Sequence, residues 1–178
     1  LANDLAYGIY NIRLQEFEAR AAETIRLSEE KYRQLFDGMV EGFALHEIIL
    51  DNKGKPYDYR FVSANPAFEQ QTGLRPDEIV GKTIRQIMPD IEDFWIETYG
   101  EVATTGKSID FENYNASLDA HFRVSAFSPR KGFFAVICEN ISRRIKAEQE
   151  LKSTKDYLEK LINYANAPII VWDNTTRI

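Results

Sequence analysis

Apolar positions along the chain change their period from segment to segment. From Leu1 to Leu35, apolar or small residues recur at Tyr10, Leu14, Phe17, Ala21 and Thr24, in steps of four, three, four and three. That heptad spacing buries a narrow seam against a partner helix. The seam slips after Thr24, where Ser28 and Lys31 fall on it and Ile25, Tyr32 and Leu35 mark a shifted register. A lone amphipathic helix lying on its own domain fits the same pattern. The thin stripe on so charged a helix favours the paired form. Helical spacing returns from Ser142, with Ala147, Leu151, Thr154, Leu158, Leu161 and Ala165 alternating by four and three without a slip.

Between the two helices, from about Asp37 to Ser142, lie all but one of the prolines and all but one of the glycines. Two strand-like runs, Gly42 to Leu50 and Tyr57 to Ala64, flank the turn-forming stretch Asp51-Asn52-Lys53-Gly54-Lys55-Pro56 and predict a hairpin. Asn65-Pro66 is a helix start, with Asn capping and Pro in the first turn. The helix Pro66 to Thr72 stops at Gly73, and a second short helix opens at Arg75-Pro76-Asp77-Glu78 and ends at Gly81. Thr83 to Met88 is predicted as a third, and Ile91 to Thr105 as a longer one. Three strands follow: Ser108 to Ala116, Leu118 to Ser128, and Phe133 to Glu139 after the turn Pro129-Arg130-Lys131-Gly132. Strands on either side of a block of helices predict an α+β fold with a five-stranded antiparallel sheet, short helices on one face, and long helices at both ends.

The last residues echo the start of this middle segment. Leu161-Ile162-Asn163 set beneath Leu35-Phe36-Asp37 brings Pro168 under Gly42 and Ile169-Ile170-Val171 under Phe43-Ala44-Leu45. Such internal similarity predicts a second, truncated copy of the domain over 166–178, with a strand at Ile169 to Trp172. The chain then reads as a fragment of a longer modular protein.

Composition narrows the function classes. The 178 residues hold 22 Lys+Arg against 28 Asp+Glu, a formal charge of −6. Phosphate backbones need a basic face, so nucleic acid is not the expected partner. The longest apolar run, Phe133 to Cys138, is too short for a bilayer span, and no export signal is visible. The single Cys138 rules out an internal disulfide and a Cys-rich zinc site. A cytoplasmic location is expected.

Motifs for catalysis fail on spacing. Thr105-Gly106-Lys107-Ser108 and Gly81-Lys82-Thr83 look like ends of phosphate loops, but Glu101 and Pro76 stand where the first glycine is required. His46-Glu47 begins a zinc-protease string, yet Leu50 occupies the second His position. Only His46 and His121 exist, both on predicted strands, where a satisfied or exposed imidazole is the expectation. Nothing in the chain supports catalysis.

Three stretches carry a family resemblance. SEEKYRQLFDGMVEGFALHEIILD covers the end of the first helix and the first strand. YRFVSANPAFEQQTGLRPDEIVGKTIRQIMP contains Asn-Pro-Ala-Phe at Asn65 to Phe68 and Thr-Gly-Leu at Thr72 to Leu74. HFRVSAFSPRKGFFAVICENISRRIKAEQEL covers the last strands and the outgoing helix. Together, from about Ser28 to Glu150, they resemble PAS sensory domains. LANDLAYGIYNIRLQ is similar to the closing helix of a GAF domain. The resemblance implies the end of a GAF-like domain and linker helix over 1–30, a PAS domain over 31–142, a signalling helix over 143–165 and the start of a second PAS domain over 166–178. It implies a sensor or relay in a multidomain protein, with a histidine kinase or a diguanylate cyclase as output, and no enzyme activity in this piece. Neighbouring GAF, PAS and kinase or cyclase domains are then the partners, with a homodimer formed through the linker helices.

The same resemblance places any ligand between sheet and helices. Phe43, Phe68, Trp95, Tyr99, Phe111, Tyr114, Phe122 and Phe134 are the pocket candidates, with His121 and Arg123 as further polar handles. Filling the core of a small domain is the other role for these aromatics, and the favoured one. Flavin-adduct members need a Cys in the helical block, and haem members usually a His on the long helix. Cys138 lies on a strand and Ile91 to Thr105 has no His, so neither cofactor is expected, with His46 or His121 left as an unusual haem ligand; an unidentified small molecule remains open, as does a ligand-free dimerising spacer. For the relay, the family's closing Asp-Ile-Thr reads Asn140-Ile141-Ser142 here. Ile141 would pack beneath the sheet and Ser142 would cap the helix. Asn140 lacks the family's charge, which Glu139 would have to supply.

Overall fold

A computed structural model describes residues 2–165. The elements are α1 (Ala2–Asp37), β1 (Gly42–Leu50), β2 (Pro56–Ala64), α2 (Pro66–Thr72), α3 (Pro76–Ile79), α4 (Ile84–Ile87), α5 (Asp93–Thr105), β3 (Ile109–Asn115), β4 (Ala120–Phe127), β5 (Phe133–Asn140) and α6 (Ser142–Ala165). The strands form one antiparallel sheet in the order β2-β1-β5-β4-β3, with α2 to α5 over one face. The expected α+β architecture stands, with shifts at element ends. The β3–β4 connection is a real turn: Leu118 N–H donates to Asn115 Oδ1 at 2.9 Å and Asp119 takes φ 48°, so β4 begins at Ala120. The expected strand at Ile169 to Trp172 and the truncated second domain at 166–178 lie outside the described residues, as do the side chains of Tyr10, Leu14 and Ala165.

Period-two alternation decides the core. On β1, Ala44, His46 and Ile48 are buried beneath the helices; on β4, Phe122, Val124 and Ala126; on β5, Phe134, Val136 and Cys138. They meet Ile79, Ile84, Trp95, Ile96 and Tyr99 from the helical layer. Contact between α5 and β2 is close at Gly100, where an added Cβ would stand 2.1 Å from Pro56 Cγ. Glycine is required there by space alone. On the opposite sheet face Ala135 is buried and Phe133 and Ile137 half-buried.

Asn65 joins three elements. Wholly enclosed, it caps α2 by accepting the Phe68 N–H at 2.9 Å, accepts the Phe43 N–H at 2.8 Å on β1, and donates to the carbonyls of Glu41 at 3.1 Å and Phe36 at 3.3 Å. All its hydrogen-bonding capacity is used, which offsets the cost of burying an amide. The end of α1 is thereby tied to the start of α2. Along the two long helices the apolar seam residues Phe17, Ile25, Tyr32, Leu35, Leu151, Leu158 and Leu161 are exposed, so neither stripe lies on this chain's own sheet.

Candidate functional site

A cavity of about 60 Å³ lies between the sheet and the helices. Its sheet wall includes His46, Tyr59 and Phe61 from the β1–β2 hairpin, and Phe122, Val136 and Cys138 from β4 and β5. Its roof includes Phe68 and Thr72 of α2, and Trp95 and Tyr99 of α5. Four of the sequence candidates, Phe68, Trp95, Tyr99 and Phe122, thus come together around one space. Phe134 is fully enclosed beside it, stacked on both His46 (4.5 Å between centroids) and Tyr99 (4.9 Å). Phe111 is half-buried at the edge of the core, against Trp95 and Tyr99.

Phe43 and Tyr114 do not line the cavity, and strand geometry explains why. Phe43 precedes core-facing Ala44, so it points to the other face, where Phe36 meets it edge-on at 5.5 Å. Phe111 and Tyr114 are three apart on one strand, so they leave it on opposite faces. Tyr114 is exposed, with its hydroxyl donating to Asp119 and its ring against His121. His121 and Arg123 flank core-facing Phe122 and turn outward with it as their neighbour. The proposed polar handles are therefore on the wrong side of the sheet.

Tyr59, Thr72, Tyr99 and Asn115 bring polar side chains to the cavity lining, and so does His46. It is 2% exposed, and its Nδ1 has no hydrogen-bond partner. This corrects the expectation of a satisfied or exposed strand histidine. An unpaired buried polar group costs about 1–3 kcal/mol. Burial drives the imidazole pKa down to about 3, with the Phe134 backbone acting the other way, so the ring is neutral near pH 7. Burial likewise raises the hydroxyl pKa of Tyr59 and Tyr99, and pushes the Cys138 thiol up to about 12. That thiol is inert as a nucleophile. Among the described residues no group of three or more His, Cys, Asp or Glu side chains is placed to hold a metal ion. Parity gave the available signal for His46: it falls between Ala44 and Ile48.

Two residues beyond Cys138, the sheet hands the chain to α6. Asn140 N–H donates to Gln71 Oε1 at 2.8 Å, and Asn140 Nδ2 donates to the Gln71 carbonyl at 3.3 Å. Gln71 Nε2 also donates to the Val40 carbonyl at 3.3 Å, so one side chain of α2 touches both the incoming and the outgoing connection. Ile141 is buried, its N–H donating to the His121 carbonyl at 2.9 Å. Ser142 does not cap the helix. Its Oγ accepts the His121 N–H at 2.9 Å, and Asn140 Oδ1 accepts the Ser142 N–H at 3.1 Å, an Asx-type turn leading into α6. Glu139 pairs with Arg123 at 3.0 Å, while the charged tie between sheet and helix runs from Glu112 to Arg144 at 2.8 Å. Sequence reasoning missed Gln71, Glu112 and Arg144.

Residues 30–105 match a family model described as PAS domain. No curated protein matches the chain. Among solved structures, an RNA-binding light-oxygen-voltage receptor superposes with a TM-score of 0.51 at 17% identity, over 75% of this chain and 39% of that one. The PAS domain of an HTR-like protein from Haloarcula marismortui gives 0.48 at 15% identity, over 69% and 99%. A domain of a sensory box sensor histidine kinase/response regulator from Geobacter sulfurreducens gives 0.47 at 17%, over 65% and 96%. At 17% identity the likeness to the light-oxygen-voltage receptor is one of fold. No described helix is long and apolar enough to cross a membrane. With the match to the PAS domain model over residues 30–105, and the sheet completed by β3 to β5, the chain has a PAS-like fold.

Proposed function

We propose that this PAS domain is a sensory relay in a multidomain signalling protein, most simply a sensor histidine kinase, passing changes in its core to α6. The observation that carries this reading is the position of α2. Phe68 and Thr72 wall the cavity from one side of that helix, and Gln71 between them holds Asn140 at the root of α6. A shift of α2 therefore acts on both ends of the domain at once. The outgoing helix answers by rotating or sliding against its twin in a homodimer, a two-state element suited to signalling. Ala147, Leu151, Leu158 and Leu161 form the seam of that pairing. The flanking GAF-like and second PAS domains, a cyclase as the other output, and a cytoplasmic setting belong to the same reading, and the role is sensory, not catalytic.

A ligand-free spacer is the second reading, favoured by one observation: 60 Å³ is well below the roughly 300 Å³ of ordinary small-molecule sites. The test separates the two. Phe68→Leu alters the cavity roof, and amide hydrogen exchange across 140–150 is then compared with wild type, with and without Gln71→Leu. A relay predicts changed protection at the root of α6 that Gln71→Leu abolishes. Unchanged protection leaves the spacer.

A further inference from the structure

We propose that the core cavity takes an uncharged molecule of roughly two to four heavy atoms carrying a hydroxyl, a short-chain alcohol in chemical class, hydrogen-bonded to the His46 imidazole. The inference rests on the sensory reading above and names its ligand class. Size sets the first limit: at about 60 Å³ the cavity is well under the roughly 150 Å³ of a cavity that takes benzene, so a haem, a flavin or even a benzene ring needs more room. Charge sets the second. No Lys, Arg, Asp or Glu lines the cavity, and the His46 imidazole is neutral, so a charged ligand would lose its hydration with no counter-charge.

Hydrogen bonding sets the third. Thr72 Oγ1 already donates to the Phe68 carbonyl at 2.7 Å and accepts the Leu74 N–H at 3.1 Å. Asn115 Oδ1 is occupied by the Leu118 N–H. His46 Nδ1, in contrast, is fully buried without a partner, and the Tyr59 and Tyr99 side chains are the other polar members of the lining. A neutral imidazole presents one donor and one acceptor nitrogen, and a hydroxyl serves either. The remaining wall, with Phe61, Phe68, Trp95 and Phe122, suits an alkyl stem.

The test uses the ¹⁵N-labelled 178-residue chain titrated with ethanol, propane (the same three heavy atoms, no hydroxyl) and acetate. Amide shifts of Cys138, the Trp95 indole and the His46 ring nitrogens are followed. Ethanol is expected to half-saturate between roughly 0.5 and 20 mM, near what three heavy atoms can supply. Propane should bind at least tenfold more weakly and acetate not at all, with the His46 ring nitrogens shifting in ethanol alone. In His46→Leu the preference for ethanol over propane should fall at least tenfold. Propane binding as well as ethanol, an unmoved His46 ring, or no saturation by ethanol below 20 mM overturns the proposal, and these wild-type measurements stand even where the variant fails to fold. Exchange across 140–150 in Phe68→Leu needs no ligand. A failed titration beside a positive exchange result removes the ligand class and keeps the relay; the opposite pair removes the relay and keeps the site.

Discussion

Gln71 and Asn140, 69 residues apart in sequence, are bonded twice: side-chain oxygen to backbone N–H at 2.8 Å and backbone carbonyl to side-chain amide at 3.3 Å. Asn140 is exposed and Gln71 half-buried, so water still competes for part of the same groups. Gln71→Leu is expected to cost only about 0.5–1.5 kcal/mol of stability in urea unfolding. Amide exchange at Asn140 and Ser142 should nonetheless rise several-fold, because the local tie is lost while the core is kept. Unaltered exchange there would show that β5 alone positions α6.

Glu112 carries the charged link to α6. Arg123 first, and Arg144 with it, hold its carboxyl pKa below 4.5, the ordinary Glu value. A carboxyl depressed in the folded state stabilises above its unfolded pKa and loses that contribution as pH falls through the folded value. Protection of the first turn of α6 should therefore drop as pH falls below about 4.5, less steeply in high salt because the pairs are half-exposed. Glu112→Gln should abolish that step; an identical pH profile in the variant assigns it elsewhere.

The fold was largely readable because its punctuation is local. Asn65-Pro66, Gly73 and the Asp51–Pro56 turn each fix an element boundary through nearby backbone chemistry. Facing was harder. In Gly42 to Leu50 both parities carry apolar residues, because the outer sheet face is itself partly apolar, and Phe43 was therefore misplaced. His46 sat on the buried parity but was judged by residue type. Gln71 left no trace, since a side chain bonded to a backbone 69 residues away imposes no period on its neighbours.

Acid should expose the cost of burying His46. With a folded pKa of about 3 against an ordinary 6.5, the unfolded chain binds a proton between those values that the folded chain refuses. Stability therefore falls as pH drops from about 6.5 toward 3, at up to about 1.4 kcal/mol per pH unit. This window opens above the Glu112 step, which separates the two. Replacing His46 by Phe should flatten urea midpoints between pH 4 and 6; an unflattened curve would mean the imidazole is not the group responsible.

Gly100 tests the packing of α5 on the hairpin. An alanine Cβ would meet Pro56 Cγ at 2.1 Å and Cβ at 2.3 Å, a proline ring that has little freedom to yield. Gly100→Ala gains helix propensity of about 1 kcal/mol, yet the overlap forces α5 and β2 apart. A net loss of about 1–3 kcal/mol is expected, read by chemical denaturation. A stabilised variant would mean that the α5–β2 spacing is looser than this approach implies.

Leu151 and Leu158 decide whether the outgoing helix pairs. Leu151 is 72% exposed and Leu158 51%, one heptad apart on a helix that buries neither against the domain. A single α6 leaves both in water, whereas a parallel twin would cover them in successive layers of one seam. Replacing both with Ser removes roughly 1.5–3 kcal/mol of burial for each side chain that the partner covers, without touching the sheet. Sedimentation equilibrium should show the dimer of the 178-residue chain weakened at least a hundredfold while thermal unfolding of the domain core is unchanged. An association constant equal to wild type would remove the paired-helix mechanism and leave α6 as a monomeric linker.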